Sequence, residues 1–190
     1  MSGASPQAVV IGASAGAVQA LSHILPRLPA DYPLPLLIVV HVPDAPSGLR
    51  PLFAAKSAIA VREPEDKEPI APATAYLAPP GYHLLVERDR SIALSADEPV
   101  LFSRPSIDVL FESAADSYGA DLVGVVLTGA NEDGARGAAA VVAAGGTVLV
   151  EEPATAYAAA MPAAALARCP AAAALSLDAI ADRLLKLGTS

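Results

Sequence analysis

The chain has 190 residues and a formal net charge of −8, and its length indicates a single domain. Hydrophobic residues make up 54% and charged residues 17%, so a sizeable core can be buried, which argues against intrinsic disorder. The acidic balance argues against a general nucleic-acid surface, because binding of phosphates needs clustered Lys and Arg side chains.

Three features of the sequence bear on where the protein resides. Cys169 is the only cysteine, so a disulfide within the chain is impossible, which fits a reducing cytoplasm. The first six residues contain no basic region followed by an apolar core, so no secretory signal is predicted. The Ala-rich stretch 154–175 contains two prolines and Arg168, and it predicts buried helix and loop rather than a membrane span. We expect a cytoplasmic protein that is not membrane-inserted.

The first part of the chain alternates apolar strands with helices. Ala8–Gly12 and Leu36–Val40 are short apolar runs that predict buried strands, and the second of them ends at His41. Between them, apolar side chains recur at helical spacing, at Val18, Leu21, Leu25 and Leu28. A loop after Pro43 and a short helix near Leu49–Lys56 are predicted next.

The middle of the chain is more polar. Glu63–Pro69 predicts a solvated loop, and Ala75–Ala78 precedes the turn Pro79–Gly81. His83–Glu87 and Ser91–Leu94 predict the two strands of a small antiparallel hairpin.

Alternation of helices and strands resumes beyond the hairpin. Pro105 opens a predicted helix whose apolar face is formed by Ile107, Leu110, Phe111 and Ala114. Strands are predicted at Leu122–Leu127 and Thr147–Val150, and helices at about Asp133–Ala144 and Asp178–Leu187.

These elements predict one α/β domain over residues 1–190, with its core at about residues 8–187. Because strands alternate with helices, we expect a doubly wound, mainly parallel sheet with helices on both faces and a small antiparallel hairpin.

A turn after the first strand carries the first candidate for catalysis. Gly12-Ala13-Ser14-Ala15-Gly16 matches the G-x-S-x-G pattern of a nucleophile on a strand-to-helix turn. Its small residues allow a sharp turn that leaves Ser14 Oγ exposed, and the following helix presents N–H groups that could stabilise an oxyanion. A phosphate-binding turn or a tightly packed turn is the alternative interpretation.

A nucleophilic serine needs a base, and the chain offers three histidines. His41 ends the second strand and therefore emerges at the same edge of the sheet as Ser14. His23 lies inside the first helix and is expected at the surface, whereas His83 lies in the hairpin as an accessory or simple loop residue. A hydrogen-bonded histidine at a strand end is the alternative for His41.

The base in turn needs an orienting carboxylate. Asp133 follows the strand Leu122–Leu127, near a helix start where capping is its alternative role, and Glu132 and Asp44 are competing candidates. In a doubly wound sheet the carboxyl ends of neighbouring strands meet in one crevice, so Asp133 is expected beside Ser14 and His41.

The predicted chemistry is hydrolysis of a carboxylic ester. Ser14 attacks the ester carbonyl while His41 removes its proton, and Asp133 fixes the tautomer of the imidazole. An acyl-enzyme forms, the alcohol leaves, and water releases the acid. The sequence predicts no metal site and no cofactor, since it shows no cluster of metal ligands.

At these residues the chain resembles the catalytic domain of CheB, the chemoreceptor protein-glutamate methylesterase. The resemblance extends from Val9 to about Leu187. Its landmarks, in chain order, are Ile11–Ser14, Val40–Pro43, Ala75–Pro79, Arg104–Phe111, Gly124–Gly129, Asp133–Ala135 and Met161–Pro162. Each landmark is weak alone, but the ordered set is highly specific.

The resemblance implies a triad at Ser14, His41 and Asp133, and hydrolysis of γ-glutamyl methyl esters on the cytoplasmic helices of methylated chemoreceptors. Related members also deamidate receptor glutamines. Typical members carry an N-terminal receiver domain, and we expect none here because the chain starts a few residues before the first strand. No nucleic-acid partner is expected.

The resemblance also implies contacts around the triad. Oxyanion donors are expected at the backbone of Ala15 and Ala130, and substrate contacts at Arg104 and Ser103. This chain departs from the family pattern at Ala15, Ala130 and Ser103, and also has Ala17 in place of a glycine. Its Glu132 adds negative charge beside the site, which disfavours an anionic transition state.

Other functions stay open on the sequence. The departures motivate an esterase of the same fold with another substrate, and a non-catalytic signalling module would keep the fold alone. A nucleotide-binding domain is weaker, because the first turn lacks a full G-x-G-x-x-G and His41 replaces the acidic residue expected after the second strand.

Overall fold

A computed structural model describes residues 7–42 and 47–189 of the chain. Seven parallel strands form one sheet, and a separate antiparallel pair forms a hairpin. The strands are β1 Ala8–Ala13, β2 Leu36–Val40, β3 Ala60–Arg62, β4 Thr74–Leu77, β5 His83–Val86, β6 Ile92–Ser95, β7 Leu122–Val126, β8 Thr147–Glu151 and β9 Ala173–Leu175. The order in the large sheet is β3-β4-β2-β1-β7-β8-β9, so β1 lies at its centre.

Within the described residues, six α-helices cover the two faces of the sheet. They are α1 Ala17–Ile24, α2 Leu49–Ala54, α3 Ile107–Tyr118, α4 Ala135–Ala143, α5 Ala160–Arg168 and α6 Leu177–Leu187. Helices α1, α2 and α6 pack on one face. Helices α3, α4 and α5 pack on the other, together with the β5-β6 hairpin. The predicted fold class, a doubly wound parallel sheet with a small hairpin, is confirmed.

The central strand shows why uninterrupted apolar runs form this sheet. All six residues of β1 are buried, since alternate side chains point to opposite faces and both faces are covered by helices. Val9 and Ile11 belong to the core on one face, and Ala8 and Val10 belong to the core on the other.

The structure corrects the predicted elements mainly at the edges. No strand is predicted at β3 or β9, because each has only three residues and includes either a charged residue or weakly apolar alanines. The stretch 154–175, predicted as helix and loop, therefore also holds an edge strand. Residues Ala75–Ala78 are predicted only to precede a turn, whereas Thr74–Leu77 forms β4 inside the sheet. The helix predicted from Asp133 begins at Ala135, after Gly134 in the left-handed region at φ 99°. The helix predicted to open at Pro105 begins two residues later.

No helix within residues 7–42 and 47–189 is long and apolar enough to cross a membrane.

Candidate active site

The carboxyl ends of the three central strands place Ser14 and His41 at the same level. Ser14 directly follows β1, and His41 directly follows β2, whose Val40 pairs with Ala13. The His41 N–H donates to Ala13 O at 3.1 Å, and the Ser14 N–H donates to Thr128 O at 2.9 Å, just beyond β7. Ser14 therefore lies between the ends of β2 and β7. This is the topological switch point, from which successive strands are added to the sheet in opposite directions.

His41 is hydrogen-bonded to the carboxylate that the sequence favoured. Its Nε2 lies 2.7 Å from Asp133 Oδ2, and the side chains are 10% and 0% exposed. An ionised carboxylate only accepts hydrogen bonds, so Nε2 carries the proton and Nδ1 keeps a free lone pair. No hydrogen bond joins Ser14 Oγ to His41 in the described part of the chain. Hydrogen bonds between catalytic groups are often long before substrate binds, so the absence of one here is compatible with the predicted role of His41 as the base.

Asp133 is a fully buried carboxylate with four hydrogen-bond donors. Its Oδ2 also accepts from the Ile107 N–H at 2.7 Å, and its Oδ1 accepts from Ser106 Oγ at 3.0 Å and the Asp108 N–H at 2.9 Å. Burial raises the pKa of Asp133, but the hydrogen bonds from His41, Asp108 and Ile107 outweigh it, so the net pKa lies below its ordinary value. The carboxylate is therefore kept ionised, as an orienting group must be.

The capping role that competed with catalysis for Asp133 exists, but on a different helix. Asp133 binds the first two N–H groups of α3, whereas Asp108 of α3 caps α4 by accepting from Gly134 at 2.9 Å and Gly137 at 2.7 Å. The two helices thus exchange carboxylate caps at their N-termini, where the helix dipole favours negative charge. This exchange fixes Asp133 relative to both helices. Capping and orientation of His41 are compatible roles of one carboxylate.

Asp108 is the second buried carboxylate of this pair, and its pKa shifts the opposite way. Burial and the negative charge of Asp133 raise the pKa of Asp108, against the hydrogen bonds from Gly137 and Gly134 and the nearby Arg136. Ionisation of Asp108 is therefore harder than that of an ordinary carboxyl group, and its main contribution to the fold is the oxygen Oδ1, which accepts both hydrogen bonds.

Replacement of Asp108 separates the contribution of Oδ1 from that of the charge. Asp108→Ala should lower the free energy of unfolding by about 2 kcal/mol, because two buried N–H groups lose their acceptor. Asp108→Asn keeps a carbonyl oxygen and removes the ionisable group, so its stability should stay close to that of the wild type. Urea denaturation at neutral pH measures both, with Asp116→Ala on the exposed side of α3 as the matched control. Equal destabilisation by Ala and Asn would contradict this account.

The other two histidines lie elsewhere and have defined partners. His83 is 2% exposed; its Nδ1 accepts from the Ser106 N–H at 3.1 Å, and its Nε2 donates to Glu98 O at 3.0 Å. Nδ1 thus holds Ser106, which donates to Asp133, while Nε2 ties the ring to the loop after β6, a supporting role that the sequence left open. His23 is exposed as predicted, and it contacts Asp178 of α6 at 2.7 Å.

The two N–H groups predicted to bind the oxyanion are not occupied by other hydrogen bonds within residues 7–42 and 47–189. The N–H groups of Ala15 and Ala130 donate to no other described residue, although their neighbours are hydrogen-bonded. Ser14 O accepts from the Ala17 N–H at 2.9 Å, and Gly129 O accepts from the Met161 N–H at 3.0 Å. Free N–H groups on an anchored backbone are the arrangement that stabilises a developing oxyanion.

The predicted substrate contacts lie on a hairpin turn before α3. Ser103 closes a tight turn through backbone hydrogen bonds with Val100. Arg104 directs Nη1 to the carbonyl oxygens of Ala96 and Asp97, at 3.0 and 3.2 Å, so the guanidinium holds the loop after β6. Contact of either residue with a substrate stays a prediction.

The competing carboxylates are placed differently. Glu132 is exposed beside Asp133, and Asp44 lies outside the described residues. Sequence reasoning also missed Ser106 and Asp108 as residues of the site. Both lie in a landmark of the resemblance, but only the packing of α3 against α4 brings them to Asp133. Within the described ranges no group of three or more His, Cys, Asp and Glu side chains is arranged to hold a metal ion.

Comparison with known proteins identifies the family. A family model for the CheB methylesterase matches residues 9–184. The chain belongs to the CheB methylesterase family. The crystal structure of the CheB methylesterase catalytic domain of Thermotoga maritima is similar, with a TM-score of 0.90 and 32% sequence identity. The match covers 97% of this chain and 100% of that one, so the predicted resemblance is confirmed over nearly its whole length.

Curated CheB relatives differ in how much of their length this chain spans. A relative from Leptospira interrogans is 43% identical over 182 residues, which is 95% of this chain and 94% of that protein. The protein-glutamate methylesterase/protein-glutamine glutaminase of Symbiobacterium thermophilum is 39% identical over 179 residues. This chain spans 49% of that protein, and 51% of a protein of the same name, numbered 2, from Xanthomonas oryzae that is 40% identical.

Proposed function

We propose that this chain is a serine hydrolase that cleaves γ-glutamyl methyl esters on chemoreceptor proteins, with Ser14, His41 and Asp133 as its catalytic triad. The hydrogen bond of 2.7 Å between His41 and the buried Asp133, at the level of Ser14, is the observation that carries the proposal. The names of relatives from Symbiobacterium thermophilum and Xanthomonas oryzae support the substrate class.

The proposed reaction uses the free nitrogen of His41. Ser14 Oγ attacks the γ-carbonyl carbon while its proton passes to His41 Nδ1, and Asp133 stabilises the imidazolium through Nε2. The N–H groups of Ala15 and Ala130 hold the oxyanion of the tetrahedral intermediate. The intermediate collapses, and the methoxide takes the proton from His41 and leaves as methanol.

Hydrolysis of the acyl-enzyme repeats these steps with water. His41 takes a proton from water as the water oxygen attacks the acyl carbon, and the proton then returns to Ser14 Oγ as the glutamate is released. With a glutamine side chain as substrate, ammonia would leave in place of methanol. The same residues therefore serve the glutaminase activity that the names of the relatives include.

Release of methanol is the test of this proposal. The purified chain should release methanol from a methylated cytoplasmic fragment of a chemoreceptor, and none from the same fragment before methylation. Gas chromatography measures the methanol, and hydrolysis of p-nitrophenyl acetate is measured in parallel. Cleavage of the small ester without any methanol would instead favour an esterase of this fold with another substrate. Inactivity on both would favour a non-catalytic signalling module.

A further inference from the structure

Thr128 contacts the backbone on both sides of the Ala15 N–H. It follows β7 and is 1% exposed. Its carbonyl oxygen accepts from the Ser14 N–H at 2.9 Å, and its hydroxyl donates to Ala15 O at 2.8 Å. The same hydroxyl accepts from the Ala158 N–H at 2.8 Å, so its proton and one of its two lone pairs are both engaged.

These contacts anchor the backbone on both sides of the Ala15 N–H. Ser14 N–H, Ser14 O and Ala15 O all have partners, whereas the Ala15 N–H donates to no described residue. Each peptide unit is planar, so the direction of the Ala15 N–H is set by Ser14 O, which accepts from the Ala17 N–H, while Thr128 anchors the peptides before and after it. Thr128 thus fixes the backbone on both sides of the group that the proposed mechanism uses as an oxyanion donor.

The second donor is anchored through the neighbour of Thr128. The Gly129 N–H donates to Ala158 O at 3.0 Å, and Gly129 O accepts from the Met161 N–H at 3.0 Å. Since Gly129 O and the Ala130 N–H belong to one planar peptide, the direction of that N–H is also set. Both donors therefore depend on the segment 128–129.

A buried carboxyl group supports this segment from behind. Glu151, the last residue of β8, is 2% exposed, and its Oε2 accepts from the Thr128 N–H at 2.8 Å. This is its only side-chain hydrogen bond to a described residue. Burial raises the pKa of Glu151. Burial of an acidic side chain costs more free energy than burial of an apolar side chain of the same size. The hydrogen bond to Thr128 therefore indicates a specific role for Glu151.

We propose that Thr128 and Glu151 are positioning residues that hold the Ala15 and Ala130 N–H groups in the geometry of the oxyanion. The inference rests on the proposed function, since it assumes that Ser14 attacks a carbonyl carbon. Neither side chain contacts the reacting atoms. Glu151 fixes the backbone of Thr128, and the Thr128 hydroxyl fixes the turn that carries the nucleophile. Their effect should fall on the transition state rather than on substrate binding.

Thr128→Val tests the hydroxyl with almost no change of shape. We expect kcat for methanol release to fall about 10- to 100-fold with KM unchanged, because a small displacement of the donors weakens only the transition state. Thr128→Ser should recover most of the loss, since it restores the hydroxyl. Thr189→Val is the matched control: its exposed hydroxyl donates to Lys186 O at 3.0 Å, just beyond the end of α6, and its kcat should match the wild type.

A second readout does not depend on the natural substrate. Labelling of Ser14 by a fluorophosphonate places a negative oxygen in the same position as the ester oxyanion, so its rate should fall in Thr128→Val by the same factor as kcat. A wild type that labels rapidly but releases no methanol would overturn the substrate class and leave the positioning role testable. Unchanged kcat and labelling in Thr128→Val, or a rise in KM alone, would overturn the positioning role.

Variants of Glu151 provide an independent test of the positioning role, which also applies if Thr128→Val does not fold. Glu151→Gln keeps an acceptor oxygen for the Thr128 N–H, whereas Glu151→Leu fills the space without one. The labelling rate should be close to that of the wild type with Gln and at least about tenfold lower with Leu. Equal rates in the two variants would overturn the role of Glu151.

Discussion

Methanol release by the Ser14→Ala variant should fall by about 10⁴-fold or more, because the acyl-enzyme cannot form without the hydroxyl oxygen. The loss should appear in kcat, since in the proposed mechanism Ser14 bonds covalently to the substrate only after the substrate has bound. The fold should be unaffected. Ser14 Oγ has no hydrogen bond to the His41 side chain, and the turn is held by backbone groups that alanine retains.

The matched control is another serine at the surface of the same region. Ser22→Ala on α1 removes a hydroxyl that accepts from Lys56 Nζ at 3.3 Å, outside the catalytic edge of the sheet. Its methanol release should equal that of the wild type. Labelling with a fluorophosphonate, read by intact mass, should add one adduct to the wild type and to Ser22→Ala, and none to Ser14→Ala. Retained activity in Ser14→Ala would refute its assignment as nucleophile.

The sequence predicts the centre of the fold better than its edges, for a physical reason. β1, β2, β7 and β8 are covered on both faces, so burial forces a continuous apolar run that can be recognised without a structure. β3 and β9 lie at the edges, and each has only three residues, so pairing with a neighbour rather than their own pattern makes them strands.

The residues of the candidate site also differ in how well the sequence predicts their positions. Ser14 and His41 could be placed from the sequence because each directly follows a recognisable strand, and parallel strands bring their carboxyl ends to one edge. Asp133 lies further from its strand, and the structure distinguishes it from the competing Glu132, because Asp133 is buried against His41 whereas Glu132 is exposed. The donors around it come from α3, so the cap exchange with Asp108 depends on helix packing that no local pattern encodes.

Asp133→Asn should lower kcat by about 10⁴-fold while the protein remains folded. With its nitrogen in the place of Oδ2, the amide donates to His41 Nε2, so Nε2 becomes the acceptor and the proton moves to Nδ1. The imidazole then presents an N–H rather than a lone pair for the Ser14 proton. Because the change concerns the base alone, KM should change little.

The same substitution should also lower stability, since Asn brings N–H donors to a site that already has four. In this orientation the Ile107 N–H, which shares Oδ2 with His41, loses its acceptor, and this should cost about 1–3 kcal/mol in the free energy of unfolding. The pKa of Asp133 is lowered in the folded state, so its stabilisation is complete above the unfolded-state carboxyl pKa of about 4. The difference in the free energy of unfolding between the wild type and Asp133→Asn should therefore become smaller as the pH falls through the lower, folded-state pKa of Asp133.

A second aspartate–histidine pair in the chain provides a control. It shows whether loss of any such contact lowers kcat, or only loss of the contact with His41. His23 and Asp178 also lie 2.7 Å apart, but their side chains are 43% and 75% exposed, where ion pairs contribute about 0–1 kcal/mol. Asp178→Asn should leave kcat unchanged and stability nearly so. Equal losses of kcat in the two variants would show that Asp133 acts through general stability. A loss confined to Asp133→Asn, measured well below its unfolding temperature, would assign the effect to orientation of His41.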